Sequence, residues 1–321
     1  MPRNPPLSGR AHFHQFDPQL HCRACSWHAA VFLALLTGGT VTLDIATLSS
    51  WIGKTETMQE QLSPELVGRF NATLGSDFSV AVGESAPLLI HLCLAQPALP
   101  ADQLGEDGHP RRGGFLPPVP LPRRMWAGGE MTFLGPLPIG AQVKRHSTIH
   151  HIEEKQGNSG RLCFVTVQHD ISADGTPAVR EQQHIVYRDP PAAGAVTPDA
   201  AAPAEQGMHV REVTPSPTML FRYSALTFNG HRIHYDAPYA RDIEGYDGLV
   251  VHGPMQATIM AQMAANLHGS PPTGFRYRGR SPLFCDQTFT VNATPSDTGM
   301  SLWTARPNGP VAMQAEAFWD N

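Results

Sequence analysis

The amino-acid sequence predicts an α+β protein built from two successive units, and three observations carry that prediction. In each half, stretches with apolar residues at helical spacing precede several stretches of strand-like alternation, as expected when helices share a core with an antiparallel sheet. A Pro/Ala run at 190–206, PPAAGAVTPDAAAPAEQ, has nothing to bury and separates 41–189 from 207–321 as a linker. An internal echo sets Ala72-Thr-Leu-Gly-Ser-Asp77 against Ser224-Ala-Leu-Thr-Phe-Asn229 at the same place in each half.

Residues 1–40 are unlike the rest and read as a disordered extension. Cys22-Arg-Ala-Cys25 with His21 and His28 has the donor types of a small zinc site, but a loose segment is the reading adopted. Ala29–Leu36 is a short apolar run without a convincing cleavage site after it. From Asp44, LDIATLSSWIG and LSPELVGRFNATLG carry helical spacing, and Ser63-Pro64-Glu65 supplies an N-cap hydroxyl with proline in the first turn. Residues 97–124, rich in Pro, Gly and Arg, read as a long loop. Strands follow over 125–155, 160–172 and 179–189, the last two joined by an Asp174-Gly175 turn. The second unit has a helical turn after Pro215-Ser216-Pro217, a polar loop, an apolar helix over 254–267, and strands over 275–284, 287–295, 300–306 and 311–319. Met255, Met260 and Met263 on that helix read as core packing.

With 321 residues, 41% of them hydrophobic, the chain suits two folded domains of ordinary size. A formal charge of -5 argues against a general nucleic-acid binder. The five cysteines lack regular spacing, which points to a reducing cytoplasm and not to a disulfide framework. No apolar run reaches the length of a membrane span.

The chemistry-bearing stretch is 221–256, FRYSALTFNGHRIHYDAPYARDIEGYDGLVVHGPMQ. It sets Asn229, His231, His234 and Asp236 at short offsets and ends on Val251-His252-Gly253-Pro254 before the apolar helix. A histidine-bearing loop next to a Gly-Pro helix start can hold a base and an anion site together. Arg276, Arg278 and Arg280 alternate and so share one strand face, where three guanidinium groups suit the phosphates of coenzyme A; the alternative is a solvated face. Arg111-Arg112 and Arg123-Arg124 flank the proline-rich loop, placed to lie over an acyl pocket and meet a substrate carboxylate.

The 221–256 stretch resembles the signature of the (R)-specific enoyl-CoA hydratases, the MaoC-like or hydratase 2 proteins, whose loop reads roughly S-G-D-x-N-P-L-H. His234 matches the family histidine, Asn229 stands in place of the aspartate five residues earlier, and His231 falls where the family has its asparagine. Three phrases, at 109–129, 221–236 and 274–284, are similar to the two-domain 3-methylfumaryl-CoA (mesaconyl-C4-CoA) hydratase branch. The resemblance implies a double hot-dog fold, in which each unit wraps an antiparallel sheet around a long helix. It also implies a non-catalytic N-terminal unit, because Val82 and not histidine follows Asp77 by five residues.

Hydration of an enoyl thioester needs a base for water, an acid for the α-carbon and donors for the thioester oxygen. The resemblance makes His234 the base and acid, Asn229 the residue that orients water or the ring, and the Gly253 N–H the oxyanion donor. His252 lines the pocket, and Asp236 or His231 is open as a second titrating group. No metal or redox cofactor is expected, with coenzyme A arriving as part of the substrate, and a homodimer is left open. The implied reaction converts mesaconyl-C4-CoA to citramalyl-CoA. The alternatives are a 3-hydroxyacyl-thioester dehydratase of fatty-acid synthesis, a hot-dog acyl-CoA thioesterase, and a non-catalytic acyl-CoA-binding protein. The absence of Asp or Glu from 254–267 counts against the thioesterase.

Overall fold

One continuous ten-stranded antiparallel sheet organises the protein, and its strand order repeats. The computed structural model describes residues 43–157, 160–189 and 202–320; the Cys22/Cys25 cluster, the 29–36 run and most of the 190–206 linker lie outside them. The strands are β1 (Thr55–Gln61), β2 (Arg123–Phe133), β3 (Gln142–Gly157), β4 (Gly160–Ala173), β5 (Thr176–Arg188), β6 (His209–Val213), β7 (Gly274–Gly279), β8 (Phe289–Ser296), β9 (Gly299–Ala305) and β10 (Val311–Phe318). They lie in the order β1-β3-β4-β5-β2-β7-β10-β9-β8-β6. Read outward from the β2–β7 seam, the first half runs 2-5-4-3-1 and the second 7-10-9-8-6, the same path twice. At the seam, Gly128–Thr132 pairs with Gly274–Arg278, so the two halves share backbone hydrogen bonds.

The helices repeat in part. Helix α1 (Ile45–Ser49) is a single turn capped by Asp44. Helices α2 (Pro64–Leu74) and α3 (Pro217–Leu226) begin alike, with Ser63 and Ser216 Oγ each accepting an N–H three residues on and proline in the first turn. The echo found in the sequence falls at their C-termini, where Leu74 and Leu226 are the last helical residues. The halves then diverge. The C-terminal half has the sixteen-residue helix α4 (Gly253–His268), apolar on most sides and packed against β7–β10. At that point in chain order the N-terminal half has a single 3-10 turn, Ile90–Cys93, and an irregular segment leading to β2. Among the described residues, the long helix expected in both units is therefore present in one.

Met255, Ile259, Met260 and Ala264 of α4 join Phe275, Phe289, Val291, Leu302 and Ala315 in the main core, which also takes in Val67 and Phe70 of α2. A second core of Ile149, Ile152, Cys163, Val165 and Tyr187 lies under α1 and residues 115–121. The Asp174-Gly175 turn has both central residues at positive φ (47° and 85°), as a two-residue hairpin of matching twist needs.

Candidate active site

Thr227 caps the C-terminus of helix α3, and the chain reverses through Phe228 at φ 48°, where an aromatic residue is strained. The Asn229 N–H donates to Ser224 O (2.8 Å), and Asn229 Oδ1 accepts from the His231 N–H (3.0 Å). Asn229 therefore shapes its own loop as an Asx turn, with its amide Nδ2 left to donate. A 3-10 turn, Arg232–His234, carries His234 inward. There Nδ1 bonds to Val250 O at 2.7 Å. A carbonyl only accepts, so Nδ1 holds the proton and Nε2 presents a lone pair. Burial pushes the imidazole pKa down to about 4, partly offset by the Val250 bond, so the ring is neutral and basic at Nε2 near pH 7. His234 keeps 7% of its surface exposed, so it is buried without being sealed.

The His234 ring stacks on His252 with centroids 3.7 Å apart. His252 is the residue before Gly253, at the start of α4, so the His234 ring and the helix N-terminus are neighbours. The Gly253 N–H is among the amides that a helix leaves without an intrahelical acceptor, at its positive end. The structure supplies a further reason for glycine here: a Cβ would stand 2.7 Å from Cε3 of the Trp126 indole. His252 Nε2 bonds to Ser224 Oγ (2.8 Å), its Nδ1 is buried without a partner, and burial with His234 and His231 beside it holds its pKa well below the usual value.

His231 meets His234 edge-on at 5.5 Å, and His109 lies 4.3 Å beyond it. Burial, then His234, pushes His231 down to about 3, which makes it a neutral neighbour of the base. His109 and Asp107 come from the long N-terminal loop and were not picked out individually in the sequence, although His109 opens the 109–129 phrase. That loop crosses the loop carrying His234 in backbone contact. Arg232 N donates to Asp107 O (3.0 Å), and a Cβ on Gly108 would lie 1.9 Å from Gly230 O. Asp107, His109 and His231 bring three ligand-type atoms within 4.8 Å of one another, but Arg124 Nη2, 3.7 Å from Asp107 Oδ2, opposes a cation there.

Other expected residues are placed differently. Asp236 is corrected from a second titrating group to a structural carboxylate. Its Oδ2 accepts from Arg232 and its Oδ1 from the Tyr239 N–H, and these bonds hold its pKa below the ordinary value. Arg276, Arg278 and Arg280 do share the exposed face of β7 and its continuation, opposite buried Phe275 and Tyr277. Arg276 is tied to Glu130 (3.1 Å) and Glu316 (3.9 Å), and Arg280 to Gln314. Arg111 and Arg112 bond loop carbonyls, and Arg123 pairs with Glu244 at 3.3 Å, so these three do not face a pocket as free cations. A cavity of about 610 Å³ opens between α2 and α3, lined by Arg69, Gln96, Phe221, Arg222 and Phe228, the last adjacent to Asn229.

The chain has relatives in sequence and in fold. Residues 89–285 match the family model for hydroxyacyl-thioester dehydratase type 2. The mesaconyl-C(4)-CoA hydratase of Chloroflexus aurantiacus is 42% identical over 268 residues, covering 83% of this chain and 95% of that protein. Among solved structures, a MaoC-like dehydratase from Phytophthora capsici superposes with TM-score 0.62 at 16% identity, over 87% of this chain and all of that one. A Mycobacterium tuberculosis protein with a double hot-dog fold superposes with TM-score 0.52 at 11% identity, over 83% and 96%.

Proposed function

The chain belongs to the hydroxyacyl-thioester dehydratase type 2 family and is a hydro-lyase of double hot-dog fold, and we propose that it hydrates mesaconyl-C4-CoA to citramalyl-CoA. The observation that carries the mechanism is the bond from His234 Nδ1 to Val250 O, which leaves Nε2 as the free base. Nε2 takes a proton from water as its oxygen attacks the β-carbon. The electron pair moves through the α-carbon to the thioester oxygen, where the Gly253 N–H and the α4 dipole stabilise the developing charge. The imidazolium then returns the proton to the α-carbon, so one ring serves as base and acid, and H and OH arrive on the same face. A carboxylate partner is not required, which accounts for Asn229 in place of aspartate. The cavity between α2 and α3 adjoins the catalytic loop and has a volume suited to a pantetheine arm.

The family description favours a second reading, a 3-hydroxyacyl-thioester dehydratase of fatty-acid synthesis, which uses the same parts. The test is loss of enoyl absorbance over a panel of acyl-CoAs. Preference for the branched dicarboxylic thioester is expected; preference for straight monocarboxylic chains would move the assignment to the second reading. The unbridged Cys93, Cys163 and Cys285 fit a reducing compartment such as the cytoplasm, and no described helix is long and apolar enough to cross a membrane.

A further inference from the structure

The substrate proposed above has a carboxylate on the β-carbon, the carbon that water attacks. A buried site must neutralise that charge close to His234, since an unpaired buried carboxylate is strongly disfavoured. Of the four arginines flanking the long loop, Arg111, Arg112 and Arg123 are already committed to loop carbonyls or to Glu244. Arg124 is not. Its side chain retains 7% exposure, its Nε is buried without a hydrogen-bond partner, and its ion-pair contact is Asp107 Oδ2 at 3.7 Å, beyond hydrogen-bond length.

Its position fits the acyl group. Arg124 stands two residues before Trp126 on β2, hence on the same strand face, and the Trp126 indole lies against Gly253. Its charge bears on His231, the ring edge-on to His234. Across the ladder, Arg124 pairs in register with Tyr187, whose buried hydroxyl lies beside the guanidinium without a hydrogen bond of good geometry. Two adjacent buried donors whose mutual contact is poorly aligned keep hydrogen-bonding capacity that a ligand carboxylate can complete.

We propose that the Arg124 guanidinium, assisted by the Tyr187 hydroxyl, receives the β-carboxylate of the acyl group and sets the preference for dicarboxylic thioesters. The inference rests on the proposed hydration and names the residues that select its substrate. A guanidinium at this point also holds the β-carbon in line with Nε2, because a two-point contact fixes a carboxylate in orientation as well as position.

The experiment measures competitive inhibition by two saturated acyl-CoAs, one with the β-carboxylate (methylsuccinyl-CoA, thioester on the unbranched end) and one with a methyl in its place (isovaleryl-CoA). In Arg124→Gln, the inhibition constant of the carboxylate analogue rises roughly a hundredfold, while that of the methyl analogue moves by less than about threefold. Tyr187→Phe, which keeps the packing, gives a smaller rise of the same selectivity, roughly tenfold. Arg124→Lys keeps the charge without the fork and falls between wild type and Arg124→Gln, which preserves a test if the glutamine variant does not fold. Equal changes for both analogues, or no change for either, would overturn the assignment of Arg124 while leaving the hydratase reading intact. Failure of the wild type to hydrate mesaconyl-C4-CoA would overturn that reading, and the carboxylate site with it.

Discussion

The two halves follow one strand path but cover their strands differently. The C-terminal half packs α4 there, almost wholly apolar, with the imidazoles of His231, His234 and His252 gathered near its start. The N-terminal half has only the Ile90–Cys93 turn, and beneath it lies a buried polar group on the inner faces of β3, β4 and β5. His91 Nε2 is 3.4 Å from Glu181 Oε2, His169 bonds to Ser147 Oγ at 2.8 Å, and the Tyr277 hydroxyl donates to Glu181 at 3.1 Å. Burial pushes the Glu181 carboxyl up, but His91, His169 and Tyr277 outweigh it and the net pKa is lowered. Both halves thus hold imidazoles in low dielectric. In one they gather at a helix N-terminus; in the other they face a carboxylate and hold the interior together. A buried histidine becomes a catalyst through what stands opposite its free nitrogen.

The contrast is open to direct tests. His234→Ala is expected to lower kcat by about a thousandfold or more, read by enoyl absorbance, with Tm changed little. In the other half, Glu181→Gln is expected to remove about 1–3 kcal/mol of stability by denaturant unfolding, because an amide N–H replaces one of the carboxylate oxygens that the buried donors around it use. Its kcat at a temperature where the variant is folded should stay within severalfold; a collapse like that of His234→Ala would show that the N-terminal half does chemistry. Gly253→Ala forces a methyl against Trp126 and is expected to cost about 1–3 kcal/mol while lowering kcat with it.

The pH dependence follows with its sign fixed. Burial holds the imidazoles of His169, His231 and His234 at pKa values of about 4, 3 and 4 in the folded protein, below the 6.5 of a free histidine. Between those limits the unfolded chain binds more protons, so stability is full above pH 6.5 and declines as pH falls towards 4. Melts from pH 7.5 to 4.5 should show this slope, and kcat/KM should retain its acid limb below about pH 5. The smallest effect is expected from Asn229→Asp. A carboxylate beside His231 and His234 favours their protonated forms, so the acid limb should move to higher pH.

Much of this arrangement was legible in the sequence, and the gaps have physical causes. Ser63-Pro64 and Ser216-Pro217 announced helix starts because capping is local chemistry, and Asp174-Gly175 announced its turn for the same reason. Strands β1 and β6 gave no signal: both are sheet edges whose side chains are mostly exposed, so no apolar alternation marks them. His234 and Gly253 stood out as candidates because they sit within a short span that the resemblance covers, and the fold brings their neighbourhoods together. His109 and Asp107 reach the site from over a hundred residues upstream, through the Gly108–Gly230 crossing that only the folded chain displays. For Asp236, spacing supplied a titratable residue but could not show that Arg232, four positions earlier, already occupies it.

The seam between β2 and β7 carries a consequence for the working molecule. Two identical subunits meeting along such a ladder would come apart on dilution and would be bound to remain identical. Here both edges belong to one polypeptide, so specific activity should hold constant down to nanomolar enzyme. Each polypeptide should also titrate with one equivalent of a tight inhibitor, since a single copy of the repeat carries the reacting groups.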